Sequence, residues 1–256
     1  LLFLLLSSLY FLIPISSSPS DHSRIDALAP VEVVAERFRE PTGVAVDGAG
    51  AIFVSDRGSG DVFRIVGADI HPIVTGLRNP VGIAFNGQGR LLIVEETRGR
   101  LLRLESDNRL TVLAQRMKKP RWIAVGEGGI FYITAKGLRR DGDGDDDDDD
   151  EEDGESILRL SPQGELTLWA EGFRGLQGIV VHERTIYAAA RGLRGGGDGD
   201  REGIFRIPIL QDGRPGQITR FSQGNNNIEK PFGLVRDRLS ALYFSAEEIR
   251  LDREYE

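Results

Sequence analysis

Pro41, Pro80 and Pro120 open three stretches at intervals of 39 and 40 residues, and the stretches share one order of residue types. Each runs from a Pro, through a Gly or its substitute, into a short apolar strand. A Gly/Asp turn, a second apolar strand and a strand ending in Arg and an apolar residue complete it. The stretches read PTGVAVDGAGAIFVSDRGSGDVFRI from Pro41, NPVGIAFNGQGRLLIVEETRGRLLRL from Asn79 and KPRWIAVGEGGIFYITAKGL from Lys119. A fourth, LQGIVVHERTIYAAARGL, begins at Leu176, and a fifth, KPFGLVRDRLSALYFSA, begins at Lys230. The third strand recurs as Val62-Phe63-Arg64-Ile65, Leu101-Leu102-Arg103-Leu104, Ile157-Leu158-Arg159-Leu160 and Ile204-Phe205-Arg206-Ile207.

Four short strands per repeat form a sheet too small to bury both faces alone. Radial packing of successive sheets buries them, which is the propeller solution. A β-helix would need a shorter period, and helical repeats would need an apolar rhythm of 3.6 residues that is absent. The expected fold is therefore all-β: a β-propeller of four-stranded blades, five of them visible and six in the full-length protein. Blades should start near residues 41, 80, 120, 176 and 231. Between Pro120 and Leu176 the interval lengthens to 56 residues, and between Leu176 and Pro231 to 55, through insertions at one place, after the second strand. Stacked repeats tolerate such insertions because they leave one face as loops. Residues 31–38 match 110–117 and read as a fourth strand that completes the last blade and closes the ring.

The glycine count, 32 of 256 residues, is nearly twice the usual ~7% and suits a chain this rich in turns. With no cysteine, disulfides, zinc-thiolate sites and thiol nucleophiles are excluded. The net charge is −8, yet residues 141–155 alone contribute twelve carboxylates, so the remainder carries +4. That distribution gives no reason to expect a general nucleic-acid binder. Residues 1–30 are expected to be a signal peptide or N-terminal anchor plus leader, because the apolar run LLFLLLSSLYFLIPI fits a signal-peptide core better than a membrane span of about 20 residues. Residues 31–256 form the propeller, which is expected to be periplasmic or secreted and to touch a membrane only through an uncleaved N-terminal segment.

This Pro-x-Gly grammar resembles the NHL repeat and the wider set of six-bladed propellers that includes gluconolactonase-like and soluble quinoprotein sugar dehydrogenase-like proteins. The resemblance covers residues 31–256. Two departures stand out: Trp122 occupies a Gly position, and Leu176 replaces the Pro. Such propellers place their sites at one channel mouth, which the resemblance maps onto Asp56, Arg57, Asn79, Glu95, Glu96, Arg121, Trp122, Lys136, Gln177, Arg191, Lys230 and Glu247.

Glu95 follows Asp56 by 39 residues, so the two carboxylates should end neighbouring blades. They could hold a cation or do acid/base work, or form a solvated rim paired with Arg57 and Arg98. Related dehydrogenases and streptogramin-lyase-like propellers imply a channel histidine as base. His22, His71 and His182 all lie outside the loops that enter an innermost strand.

The two insertions share Gly-Leu-Arg and Asp-Gly-Asp text, which sets them at equivalent corners of adjacent blades. Within the acidic insertion 139–155, Asp141, Asp143, Asp145 and Glu152 keep the 1, 3, 5, 12 spacing of a calcium loop, with Asp198 and Asp200 as companions. Asp146 stands where such a loop needs Gly, so the alternative is a self-repelling acidic loop. The leading expectation is an exported recognition or scaffold module that binds a protein or glycan, with Ca2+ as its only cofactor candidate. The alternative is a propeller enzyme, either a metal-dependent lactone hydrolase or a quinoprotein-like sugar oxidoreductase.

Overall fold

A computed structural model describes residues 13–15, 33–139, 154–195, 202–221, 227–236 and 241–250. Its regular elements are strands, apart from one 3-10 turn at Glu127–Gly129. The first blade is the antiparallel meander Pro41–Val46, Ile52–Asp56, Asp61–Val66 and Asp69–Val74. The second is Pro80–Phe85, Leu91–Glu95, Arg100–Leu104 and Leu110–Ala114. Ile123–Val125, Phe131–Ala135, Glu155–Leu160 and Leu166–Arg174 make the third; Ile179–His182, Thr185–Ala190, Gly203–Pro208 and Thr219–Arg220 make the fourth.

Four blades are thus complete, where five were expected. The fifth repeat contributes the hairpin Asn227–Arg236 and Leu242–Arg250, and any third strand of its own would fall beyond the described residues. Ile13–Ile15 lies antiparallel against Leu242–Phe244 as the third strand of that sheet. The rest of the apolar N-terminal run, on which the leader expectation falls, lies outside the described residues. Residues 33–38 do not form the expected strand. They run irregularly over the first blade, with Val34, Ala35 and Phe38 against Ile52, Val54 and Ile65.

The core sits between blades rather than within them. Phe53 and Val62 of the first blade share a cluster with Ile83, Leu91 and Ile93 of the second. Leu92 and Leu101 do the same with Ile133 and Leu158 of the third, and Ile157 and Trp169 with Ile186 and Phe205 of the fourth. Period-2 alternation produces this, because successive side chains on a strand serve opposite neighbours.

The Gly of the repeat is needed where innermost strands converge. A side-chain carbon on Gly43, Gly82 or Gly178 would fall under 3.0 Å from the carbonyl oxygen of Val81, Arg121 or Phe232 in the next blade. Gly82 and Gly178 also donate their N–H groups to those oxygens, each at 2.7 Å. Trp122 breaks the rule, and the third innermost strand accordingly starts at Ile123, three residues after its Pro. Ahead of the repeat Pro the backbone turns left-handed, at Asn79 (φ 55°), Lys119 (φ 41°) and Lys230 (φ 46°). Before Leu176 the same turn is made by Gly175 (φ 57°).

Candidate functional site at the channel mouth

Each blade joins the end of its second strand to the loop that enters its first. Arg57 N–H donates to Glu40 O, Glu96 to Asn79, Lys136 to Lys118 and Arg191 to Arg174, at 2.8–2.9 Å. These bonds bring most of the expected site residues to one end of the blades. Arg191 lays its side chain over Gly175, and the half-buried Gln177 donates its N–H to Ala189 O. The side chain of Glu247 lies outside the described residues.

Asp56 and Glu95 occupy the same position in neighbouring blades, but neither is part of a solvated rim; both are buried. Asp56 accepts the N–H groups of Arg39 at 2.9 Å, Glu40 at 2.7 Å and Gly58 at 3.1 Å. Burial pushes its carboxyl up, and the Arg39, Glu40, Ser59 and Gly58 donors outweigh this, holding it below its ordinary 3.8. Glu95 accepts the Arg78 N–H at 2.7 Å and pairs with Arg98 at 3.0 Å and with Arg100. The two carboxylates therefore act separately, each tying down the loop that enters its own blade. The reason for the difference from expectation is local: backbone N–H groups of the entering loop satisfy Asp56, while Arg98 and Arg100 pair with Glu95.

At this position the third, fourth and fifth repeats carry Ala135, Ala190 and Ala246. A different carboxylate takes over, beyond each insertion. Glu155 accepts the N–H of Leu176, and Glu202 that of Lys230, so each fixes the loop entering the next blade. Leu176 replaces the repeat Pro at a point where an N–H is required, and Pro has none. Sequence reasoning folded Glu155 into the acidic run and overlooked Glu202. The available signal was spacing, since both stand four residues ahead of a third-strand arginine, Arg159 and Arg206.

Outside the buried Asp56 and Glu95, opposite charges alternate from blade to blade. Glu40 pairs with Arg57 at 3.0 Å, Arg57 with Glu96 at 3.3 Å, Glu96 with Arg121 at 3.8 Å, and Arg121 with Glu155 at 3.4 Å. The Arg57 and Arg121 side chains remain 39% and 30% exposed. Trp122 donates its backbone N–H to the Thr134 hydroxyl, and its ring meets Phe232 edge to face at 6.2 Å. Of the histidines, His71 lies in the outermost strand of the first blade. His182 ends the fourth innermost strand and meets Arg236 at 2.9 Å on the surface.

Both insertions start alike. Met117–Lys118 pairs with Gly137–Leu138, and Phe173-Arg174 pairs with Gly192–Leu193, so the Gly-Leu-Arg text marks equivalent corners. A cavity of about 630 Å³ at these roots is lined by Lys118, Lys136, Ser156, Glu171 and Arg194. Asp141, Asp143, Asp145, Glu152, Asp198 and Asp200 lie outside the described residues. Among the described residues no three His, Asp or Glu side chains gather as a metal-ligand group.

The architecture and this mouth define a β-propeller. A gluconolactonase from Xanthomonas campestris has the same fold, with a TM-score of 0.63 and 20% identity over 80% of this chain and 69% of that one. A putative gluconolactonase gives 0.65 and 17%, covering 83% and 73%, and a streptogramin B lyase gives 0.55 and 15%, covering 82% and 63%. At such identities the likeness is one of fold. No family model matches the sequence, and no curated protein does.

Proposed function

We propose that this protein is an exported recognition or scaffold module that binds a protein or glycan through its channel mouth, built on an NHL-like repeat. The observation that carries this reading is the alternating chain Glu40–Arg57–Glu96–Arg121–Glu155. Ion pairs this exposed add little stability, under about 1 kcal/mol each, but they hold guanidinium groups in place before a ligand arrives. Arginine and aromatic side chains are the types that dominate interface hot spots, and Arg121 is next in sequence to Trp122 of the Trp122–Phe232 pair. The carboxylates that an enzyme reading would recruit, Asp56 and Glu95, are engaged by backbone amides and arginines. Calcium belongs to the reading through the acidic insertion, on the strength of its sequence alone. The second reading, a metal-dependent lactone hydrolase, draws on the named activity of two fold neighbours.

One set of measurements separates these readings. The full-length protein is immobilised and screened against glycans and extracytoplasmic proteins, with and without calcium. The same sample is assayed with sugar lactones and divalent metals. Binding lost in Arg57→Ala and Arg121→Ala, at unchanged melting temperature, supports the recognition reading. Metal-dependent lactone turnover that survives both substitutions overturns it.

A further inference from the structure

The third-strand arginine of the repeat is accommodated differently in each blade. Arg64 lies over the Phe53 ring, 6.0 Å from its centroid, and Arg206 is exposed to solvent. In the second blade Arg103 meets Glu105, which takes its Nε at 2.8 Å and its Nη2 at 2.7 Å. Hydrogen bonds from Arg103 and from the Thr111 hydroxyl hold the Glu105 carboxyl below its ordinary value. Arg159 of the third blade has none of these arrangements. Its Nε is buried and has no hydrogen-bond partner. A buried N–H of a charged group left without an acceptor is among the costlier features a fold can carry.

The second and third blades correspond here residue for residue, so the difference can be traced. The turn after the strand makes the same two backbone bonds in both: Glu105 to Arg109 and Asn108 to Glu105, then Ser161 to Glu165 and Gly164 to Ser161. Thr111 stands opposite Arg103, and Thr167 opposite Arg159. The hydroxyl is therefore kept, and that of Thr167 reaches only the Arg159 carbonyl, at 3.4 Å. What changes is the carboxylate. Ser161 stands in place of Glu105, and its Oγ accepts the Glu165 N–H instead. On the other side of the arginine, buried Tyr132 replaces Leu92. Burial pushes the Tyr132 phenol up, while the charges of Arg159 and Arg184 pull it down, so both guanidinium groups act on it. Arg184, in the first turn of the fourth blade, donates to Leu210 O. Among the described residues no carboxylate pairs with Arg159 or Arg184.

We infer that a small oxyanion, a phosphate, sulfate or carboxylate, binds between the third and fourth blades at the place that the Glu105 carboxylate takes between the second and third. Arg159 Nε and the Thr167 hydroxyl hold it, as Arg103 and Thr111 hold Glu105, and Arg184 adds a second positive charge. Nε and one Nη of a guanidinium form the side-on fork that oxyanions accept. Because the Arg159 Nε is buried, a free ion reaches it where a charged group on a polymer does not. The turn between the third and fourth strands lies at the end of the blade away from the mouth, so this site is separate from the recognition surface.

The test titrates the full-length protein with sodium phosphate, sulfate or acetate in a chloride buffer of constant ionic strength, by calorimetry and by thermal denaturation. With at least one of these ions the expected result is a saturable one-to-one heat and a melting temperature that rises and then levels. Ser161→Glu supplies the second blade's own carboxylate, so it should raise the melting temperature in chloride alone and abolish the response to the ion. Arg159→Gln gives an independent reading. Binding weakened by at least about tenfold supports the inference, and unchanged binding overturns it. Dextran sulfate, which carries the same group on a polymer, should give no heat that depends on Arg159; if it alone binds, the inference fails. The inference is also overturned if none of the three ions gives a saturable response. A response of equal size in the parent and in Ser161→Glu overturns it too, since that is the general stabilising effect of such anions.

Discussion

Gly82 donates its backbone N–H to the carbonyl oxygen of Arg121 at 2.7 Å, joining the innermost strands of the second and third blades. A methyl group there would press on that oxygen and on the Trp122 Cα, both backbone atoms that cannot swing aside. Gly82→Ala should therefore destabilise the protein by about 2–4 kcal/mol in urea unfolding. Gly87→Ala, in an open turn with nothing within 4 Å, should stay within about 0.5 kcal/mol of the parent.

Asp56 carries a prediction about acid. Its pKa is lowered on folding, so its contribution to stability is complete above the ordinary 3.8 and is lost as pH falls towards the lowered folded value. Asp56→Asn should cost roughly 2–3 kcal/mol at neutral pH, since three backbone donors lose a charged acceptor. The gap between parent and variant should hold between roughly pH 5 and 8 and narrow below about pH 4. Urea titrations at stepped pH would check it, and a gap that widens in acid would contradict it.

Leu176 separates volume from hydrogen bonding. Its side chain is buried and its N–H is held by Glu155. Leu176→Ala keeps the donor and loses volume, at a cost of about 2–5 kcal/mol. Leu176→Pro keeps more volume and loses the donor. The Pro variant should nevertheless be the less stable by at least about 1 kcal/mol, because it leaves a mostly covered Glu155 carboxylate oxygen without its donor. Thermal denaturation of the pair decides the order.

The alternating rim predicts a response to salt. Arg57→Ala and Arg121→Ala should each change stability by no more than about 1 kcal/mol, since their pairs are partly exposed. Ligand binding at the mouth should weaken as salt rises from about 0.05 to 0.5 M, and this slope should flatten in both variants. Surface plasmon resonance across a salt series measures both. An unchanged slope would place the ligand elsewhere.

Some of this was open to reading from residue order. The 39- and 40-residue intervals between Pro41, Pro80 and Pro120 locate the blades, and the Gly-Leu-Arg text after Lys136 and Arg191 locates two equivalent insertion roots. Trp122 and Leu176 announced themselves as departures. Their consequences did not follow from the sequence: a shortened innermost strand in one case, a required N–H in the other. Asp56 and Glu95 were placed at matching blade ends, yet whether water or backbone surrounded them depended on Arg39, Arg78, Arg98 and Arg100.

The difference between the two kinds of knowledge is one of range. Alternating apolar residues, turn glycines and a constant period act between near neighbours, so the chain alone located four blades and the insertion points, but not the fate of residues 33–38. Burial and charge pairing are set by residues tens of positions away, as Glu96 is from Arg57 and Glu202 from Lys230. Only the tertiary arrangement decided which carboxylates tie down loops and which arginines remain available at the mouth.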